Sequence, residues 1–163
     1  MRILMIRHGD PDYAVDGLTV RGRHEARLLA HKLVHEPIGA IWCSTMGRAR
    51  ETCAPTAEAL GLCPHYRDWL REIPFPVRFE QYPNRNYWFS FPPHAWENLE
   101  GFDHVDAWKE LPIFSESGVV PYVENVCRQF DALLSCYGYV RHGRYFELLP
   151  GRSDTVLALF CHQ

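Results

Sequence analysis

A chain of 163 residues, 47% hydrophobic and 23% charged, has the make-up of one globular domain that buries roughly 70% of its unfolded surface. A net charge of −3 gives no electrostatic reason for nucleic-acid binding, and no apolar stretch reaches the roughly 18–20 residues that span a bilayer. There is no signal-peptide pattern at the N-terminus, and six scattered cysteines without Cys-x-x-Cys spacing read as reduced, buried thiols of a cytoplasmic protein.

In chain order, Arg2 to Arg7 reads as a first strand, a continuous apolar run of the buried parallel kind. It stops at Arg7-His8-Gly9, and the carboxyl end of such a strand is where open α/β sheets place ligands. There Arg7 suits bidentate recognition of an anion, and His8 suits a nucleophile or proton carrier. Gly22 to about His35 is expected to be a helix, with Ala26, Leu29, Ala30 and Leu33 on one face and Pro37 as a stop signal. Gly39 to Cys43 is a second strand. Ser44 or Thr45 is expected to cap a helix that runs to about Leu60 and closes at Gly61, with a kink or break near Ala54 imposed by Pro55. Strand and helix alternate, which argues a parallel, doubly wound sheet.

Residues 64 to 118 change character. They hold most of the twelve prolines, and eleven aromatic residues fall between Phe75 and Phe114. A long irregular stretch of this kind is expected to be a lid or binding loop; its aromatics equally suit a homodimer interface. Val119 to about Tyr137 returns to helix, with Phe130, Leu133 and Leu134 on its apolar face. Tyr139 to Leu149 reads as a hairpin around His142-Gly143, and Thr155 to Cys161 as a third strand ending at His162.

Four segments taken in order carry a resemblance: Arg7-His8-Gly9, the Leu-Thr-x-x-Gly-x-x-x-Ala run from Leu18, the Ser-x-x-x-Arg-Ala-x-x-Thr run from Ser44, and the last strand with its His162. Together they resemble the histidine phosphatase superfamily, the phosphoglycerate mutase-like enzymes, over nearly the whole chain. The middle third matches least. The resemblance implies one domain over residues 1–163, a three-layer α/β/α sandwich with a mostly parallel doubly wound sheet. An aromatic-rich insertion of about 64–118 would lie over the carboxyl ends of the strands. Members continue past the terminal histidine, so the resemblance also implies a C-terminus cut short at Gln163.

For activity, the resemblance implies a metal-independent, cofactor-free phosphomonoester hydrolase acting on a small phosphorylated metabolite. His8 would attack the phosphoryl group, and water would hydrolyse the phosphohistidine. Arg7 and Arg48 would clamp the phosphoryl oxygens, Arg48 from a helix first turn whose amides and dipole also favour an anion. His162 would complete the pocket as a donor. Glu72 matches the family's proton donor, and apolar surroundings would raise its pKa as a general acid requires. The plainer reading is an exposed Glu72 paired with a neighbouring Arg, with Asp68 and Glu80 as the fallback acids. Asp10 stands where the family commonly has Glu, and Ala14 where many members carry a phosphate-contacting Asn. Thr19 caps a helix or contacts the site, while Arg50 and Glu51 read as a solvated helix face. Arg141-His142-Gly143 repeats the tripeptide in a hairpin turn, away from any buried strand end. His31 and His35 read as a solvated face rather than a metal pair. The rivals are a mutase, and a non-catalytic phospho-ligand binding module.

Overall fold

The computed structural model describes residues 1–87, 90–97 and 99–162, so Trp88 and Phe89 of the aromatic stretch, and Gln163, lie outside the described residues. The chain divides into two compact units, Met1–Glu72 with Gln129–Gln163, and Ile73–Arg128.

The larger unit is built on strands β1 (Arg2–Arg7), β4 (Ile38–Ser44), β5 (His65–Arg67) and β8 (Val156–Cys161), in the order β1-β8-β4-β5. All three pairings are parallel. Two-residue strands β2 (Pro11–Asp12) and β3 (Gly17–Leu18) pair with each other beside this sheet. Every residue of β8 is buried, because a central parallel strand is covered on both faces and therefore apolar throughout. Its side chains alternate between two cores. Val156, Ala158 and Phe160 pack with Ile41 and Cys43 of β4, Leu33 of helix α1 (Val20–Leu33), and Ala49, Cys53 and Ala57 of helix α2 (Gly47–Leu60). Leu157, Leu159 and Cys161 pack on the opposite side with Leu70, Phe130 and Leu133. Those last two belong to a long helix, Val119–Ser135. Helices on both faces of a parallel sheet make the three-layer sandwich that the pattern predicts.

Several local expectations need correction. β1 is an edge strand that pairs with β8 alone among the described residues, so Met5 is 68% exposed rather than buried. α1 starts at Val20, with Thr19 as N-cap accepting from the Gly22 amide, and ends at Leu33. His35 therefore lies outside the helix that carries His31. Neither Ser44 nor Thr45 caps α2: Met46 holds the cap position without a side-chain bond. Instead the Ser44 hydroxyl accepts from the Met46 amide at 3.2 Å, and the Asp16 carboxylate accepts from the Gly47 amide at 2.8 Å. Pro55 neither ends nor divides α2. Ala49, Cys53 and Thr56 are fully buried around it, and that burial outweighs the roughly 3 kcal/mol cost of an interior proline. Gly61 closes the helix at φ 64°, as predicted.

The smaller unit has a core of its own, in which Val77, Phe91, Phe114 and Val119 are buried and Phe79, Trp96 and Trp108 pack around them. Its edge-to-face pairs include Phe79 with Phe91 at 4.7 Å and Trp108 with Phe114 at 5.4 Å between centroids. Short helices α3 (His94–Glu97) and α4 (Pro112–Ser115) interrupt the irregular backbone, and α5 (Val119–Ser135) begins in this unit. Its bounds differ from those predicted: β5 and the 3-10 turn Asp68–Leu70 belong to the sheet unit. The hairpin forms from β6 (Tyr139–His142) and β7 (Tyr145–Leu148), with Gly143 at φ 59° in its turn. Cys43, Cys53 and Cys161 are buried as expected, but Cys63, Cys127 and Cys136 are exposed. No helix of the described residues is long and apolar enough to cross a membrane.

Candidate active site

The first strand delivers His8 to the sheet's carboxyl edge, where it is buried. Two glycines make this possible. A Cβ on Gly9 would meet the Gly22 carbonyl at 2.9 Å, and one on Gly22 would run into the Asp10 carbonyl. The segment after β1 is thus pressed directly onto the start of α1. It is held there by the Asp10 amide on Glu25, by Thr19 Oγ1 donating to the Asp10 carboxylate at 2.6 Å, and by the Gly9 amide on Thr52 of α2. Thr52 in turn donates to the Arg48 carbonyl at 2.7 Å, coupling the two motif segments.

His8 Nδ1 lies 2.8 Å from the Gly9 carbonyl, which can only accept, so Nδ1 carries the proton and Nε2 the lone pair. Burial holds the His8 pKa below its ordinary value; the Gly9 bond opposes this, and the Arg48 and Arg7 charges reinforce it. The ring of His162, at the end of β8, stands 5.2 Å from that of His8 between centroids. Its side chain is 2% exposed, with Nδ1 3.8 Å from a Glu72 oxygen and Nε2 2.9 Å from Ser44 Oγ. Burial, aided by Arg48 and His8, pushes the His162 pKa down to about 3.

Arg48, in the first turn of α2, is 5% exposed; one arm bonds Asp16 at 2.6 Å and the other lies 3.7 Å from Glu72. The anion expected at this helix N-terminus is therefore met within the protein by the Asp16 carboxylate, which takes both the Gly47 amide and Arg48. Burial would raise the Asp16 pKa, but these hydrogen bonds and the Arg48 charge bring it below the ordinary carboxylate value. Glu72 is 22% exposed rather than solvated. Its burial outweighs the pull of Arg48 and Arg7 and raises its pKa.

Four of the five predicted residues, His8, Arg48, Glu72 and His162, thus meet in one cluster. Arg7 is exposed at the end of β1, and its charge reaches both His8 and Glu72. Of the fallback acids, Asp68 is 83% exposed and bound to Thr45, and Glu80 belongs to the smaller unit. Glu51 is not a merely solvated residue, since its carboxylate accepts from the Leu18 amide and from Arg23. His142, in the repeated tripeptide, bonds Glu147 across the hairpin. Asp16 and Ser44 are the residues that sequence reasoning missed or misassigned. The one available signal was Ser44 itself, first residue of the Ser-x-x-x-Arg-Ala-x-x-Thr run and last residue of β4.

Comparison with known proteins shows the family and the fold. The sequence profile of the histidine phosphatase superfamily (branch 1) matches residues 3–106. A probable phosphatase of Schizosaccharomyces pombe is 39% identical over 172 aligned positions, covering 99% of this chain and 68% of its own length. Among solved structures, a mycobacterial glucosyl-3-phosphoglycerate phosphatase is similar at a TM-score of 0.58 with 20% identity, covering 99% of this chain and 73% of its own. The alpha-ribazole phosphatase of Shigella flexneri is similar at 0.56 with 23% identity, covering 100% and 74%. At such identities these two structures speak for the fold alone.

Proposed function

The chain belongs to the histidine phosphatase superfamily and is a phosphatase of that family; on that premise we propose that it hydrolyses a small phosphomonoester through a phosphohistidine on His8. The observation that carries this reading is a set of three buried nitrogens without hydrogen-bond partners among the described residues: His8 Nε2, Arg48 Nε and His162 Nδ1. Leaving such groups unmet costs about 1–3 kcal/mol each, a cost that folds keep at sites where a ligand completes the bonding. A tetrahedral phosphoryl group fits all three. Its oxygens accept from Arg48 Nε–H and from His162 Nδ1–H, the tautomer set when the Ser44 hydroxyl donates to Nε2, while the His8 lone pair faces phosphorus.

In the first step His8 Nε2 bonds to phosphorus as the bond to the leaving oxygen breaks, and protonated Glu72 gives that oxygen its proton. In the second, water attacks the phosphohistidine, Glu72 takes a proton from it, and phosphate leaves with His8 regenerated. Arg7 and Arg48 offset the charge on the phosphoryl oxygens in both steps, and no metal takes part. A reducing compartment such as the cytoplasm suits Cys43, Cys53 and Cys161, which pack as small apolar side chains in the core.

Rapid-quench assay with p-nitrophenyl phosphate tests the proposal. Turnover and an acid-labile phosphoprotein are expected, both lost in His8→Ala. Neither signal from the wild-type chain would leave a phospho-ligand binding module; return of the phosphoryl group to a bound sugar acid would make the protein a mutase.

A further inference from the structure

The same cluster has a second chemistry. One ligand atom each from His8, Glu72 and His162 lie within 4.8 Å of one another, and no other three His, Cys, Asp or Glu side chains gather in this way among the described residues. We infer that His8, Glu72 and His162 form an inhibitory binding site for a transition-metal dication of the Zn2+ type. The inference rests on the donor geometry and goes beyond the hydrolytic reading.

Two imidazoles and one carboxylate, with a fourth position open, are a donor set that zinc takes in proteins. Tetrahedral ligands about 2.0–2.2 Å from zinc stand roughly 3.3–3.6 Å apart, so the three side chains need to converge by about an ångström. Each imidazole is already oriented by a partner on its other nitrogen, His8 by the Gly9 carbonyl and His162 by Ser44 Oγ, which is how metal-binding histidines are usually fixed. The Ser44 hydroxyl serves either tautomer of His162, donating to Nε2 when phosphate is bound and accepting from Nε2–H when Nδ1 faces a metal. Positive charge does not bar a cation. Arg48 keeps Asp16 as its partner at 2.6 Å and Arg71 has Asp68, while Arg7 is exposed at the strand end. The imidazole nitrogens select against Mg2+ and Ca2+, which favour oxygen ligands. Occupancy is inhibitory because the metal takes the lone pair with which His8 attacks phosphorus, and the Glu72 oxygen that carries the transferable proton.

Co2+ titration of the chelator-stripped chain reads the site directly. One equivalent is expected to give a visible absorption band of tetrahedral intensity, removed by one equivalent of Zn2+ and untouched by Mg2+. Glu72→Gln and His162→Ala are each expected to weaken Co2+ binding by at least about tenfold, while a His31→Ala, His35→Ala double variant binds as the wild type does. Zn2+ is expected to stop p-nitrophenyl phosphate turnover, with recovery on adding EDTA. If a cluster variant does not fold, nitrogen NMR of the wild type decides: Zn2+ must shift the ring signals of His8 Nε2 and His162 Nδ1. No Co2+ band, a band unchanged in the cluster variants, or ring signals blind to Zn2+ each overturn the inference. A Co2+ band in a chain that never turns over would overturn the hydrolytic reading and leave the metal site standing.

Discussion

Burial acts on the proposed nucleophile, His8, and the proposed acid, Glu72, in opposite senses. It raises the Glu72 pKa, against the pull of Arg48 and Arg7, and lowers that of His8, with Arg48 and Arg7 adding to the effect. Both shifts enlarge the fraction of molecules that hold a neutral imidazole and a protonated carboxyl at once, as acid-assisted attack requires. In chelator-treated enzyme the pH profile of kcat is expected to be bell-shaped, its acid limb set by His8 and its alkaline limb by Glu72. Glu72→Gln is expected to abolish the alkaline limb and to slow an alkyl phosphate by about 10²–10⁴-fold. It should slow p-nitrophenyl phosphate far less, because that leaving group needs little protonation. An alkaline limb that survives the substitution would assign the acid role elsewhere. His8, Arg48 and His162 were readable in the sequence because each holds a fixed place on its element, a strand end or a helix first turn. Asp16 was not: a lone carboxylate in a short connection carries no signal, and it reaches Arg48 across 32 residues of sequence. Ser44 looked like a helix cap because its bond to His162 spans 118 residues.

Gly22 sits in the first turn of α1, where helix propensity and contact give opposite answers. Propensity alone says that Gly22→Ala gains about 1 kcal/mol. Contact says that the new methyl enters the Asp10 backbone, which cannot withdraw, since its amide is bonded to Glu25 and its carboxylate to Thr19. Overpacking of this kind costs about 1–3 kcal/mol, and the fixed backbone puts this site toward the upper end. Net destabilisation of about 1–2 kcal/mol is expected, read as a lower denaturation midpoint; a more stable variant would show that the segment after β1 is free to move. The same contest explains which element features were legible. The expected cap at Ser44 or Thr45 and Gly61 located α2 to within a few residues, but its start is set by Asp16 from a distant loop, and Pro55 is overruled by burial of Ala49, Cys53 and Thr56. Local rules hold until a tertiary contact of larger energy crosses them.

At the scale of the molecule, the sheet unit was legible because a parallel sheet announces itself by alternating elements, whereas the aromatic stretch has no period to read. Its core is assembled from residues as far apart as Val77 and Val119, contacts that only the folded chain reveals. The buried histidines that make the site also govern the stability of the whole. His162 has an ordinary pKa of 6.5 and a folded value of about 3, so below 6.5 the unfolded chain takes up a proton that the folded one refuses. Stability then falls as pH falls, at about 1.4 kcal/mol per pH unit for one proton, and His8 acts in the same direction. Glu72 opposes them: its raised pKa means that the folded chain holds a proton the unfolded one has lost, over an interval above 4.5. His8 and Glu72 pull against each other, so the large His162 shift sets the sign, a net loss. Asp16, with its lowered pKa, adds stability that disappears only as pH falls through and below 3.8, outside this window. Guanidinium unfolding of the metal-free chain is therefore expected to lose about 1 kcal/mol between roughly pH 6.5 and 5.5. His162→Asn, which keeps a polar side chain there but cannot titrate, should lower that slope by about one proton. A slope that His162→Asn leaves unchanged would mean that His162 is charged in the folded chain, and a charged imidazole there could not exchange its role between the two tautomers that Ser44 serves.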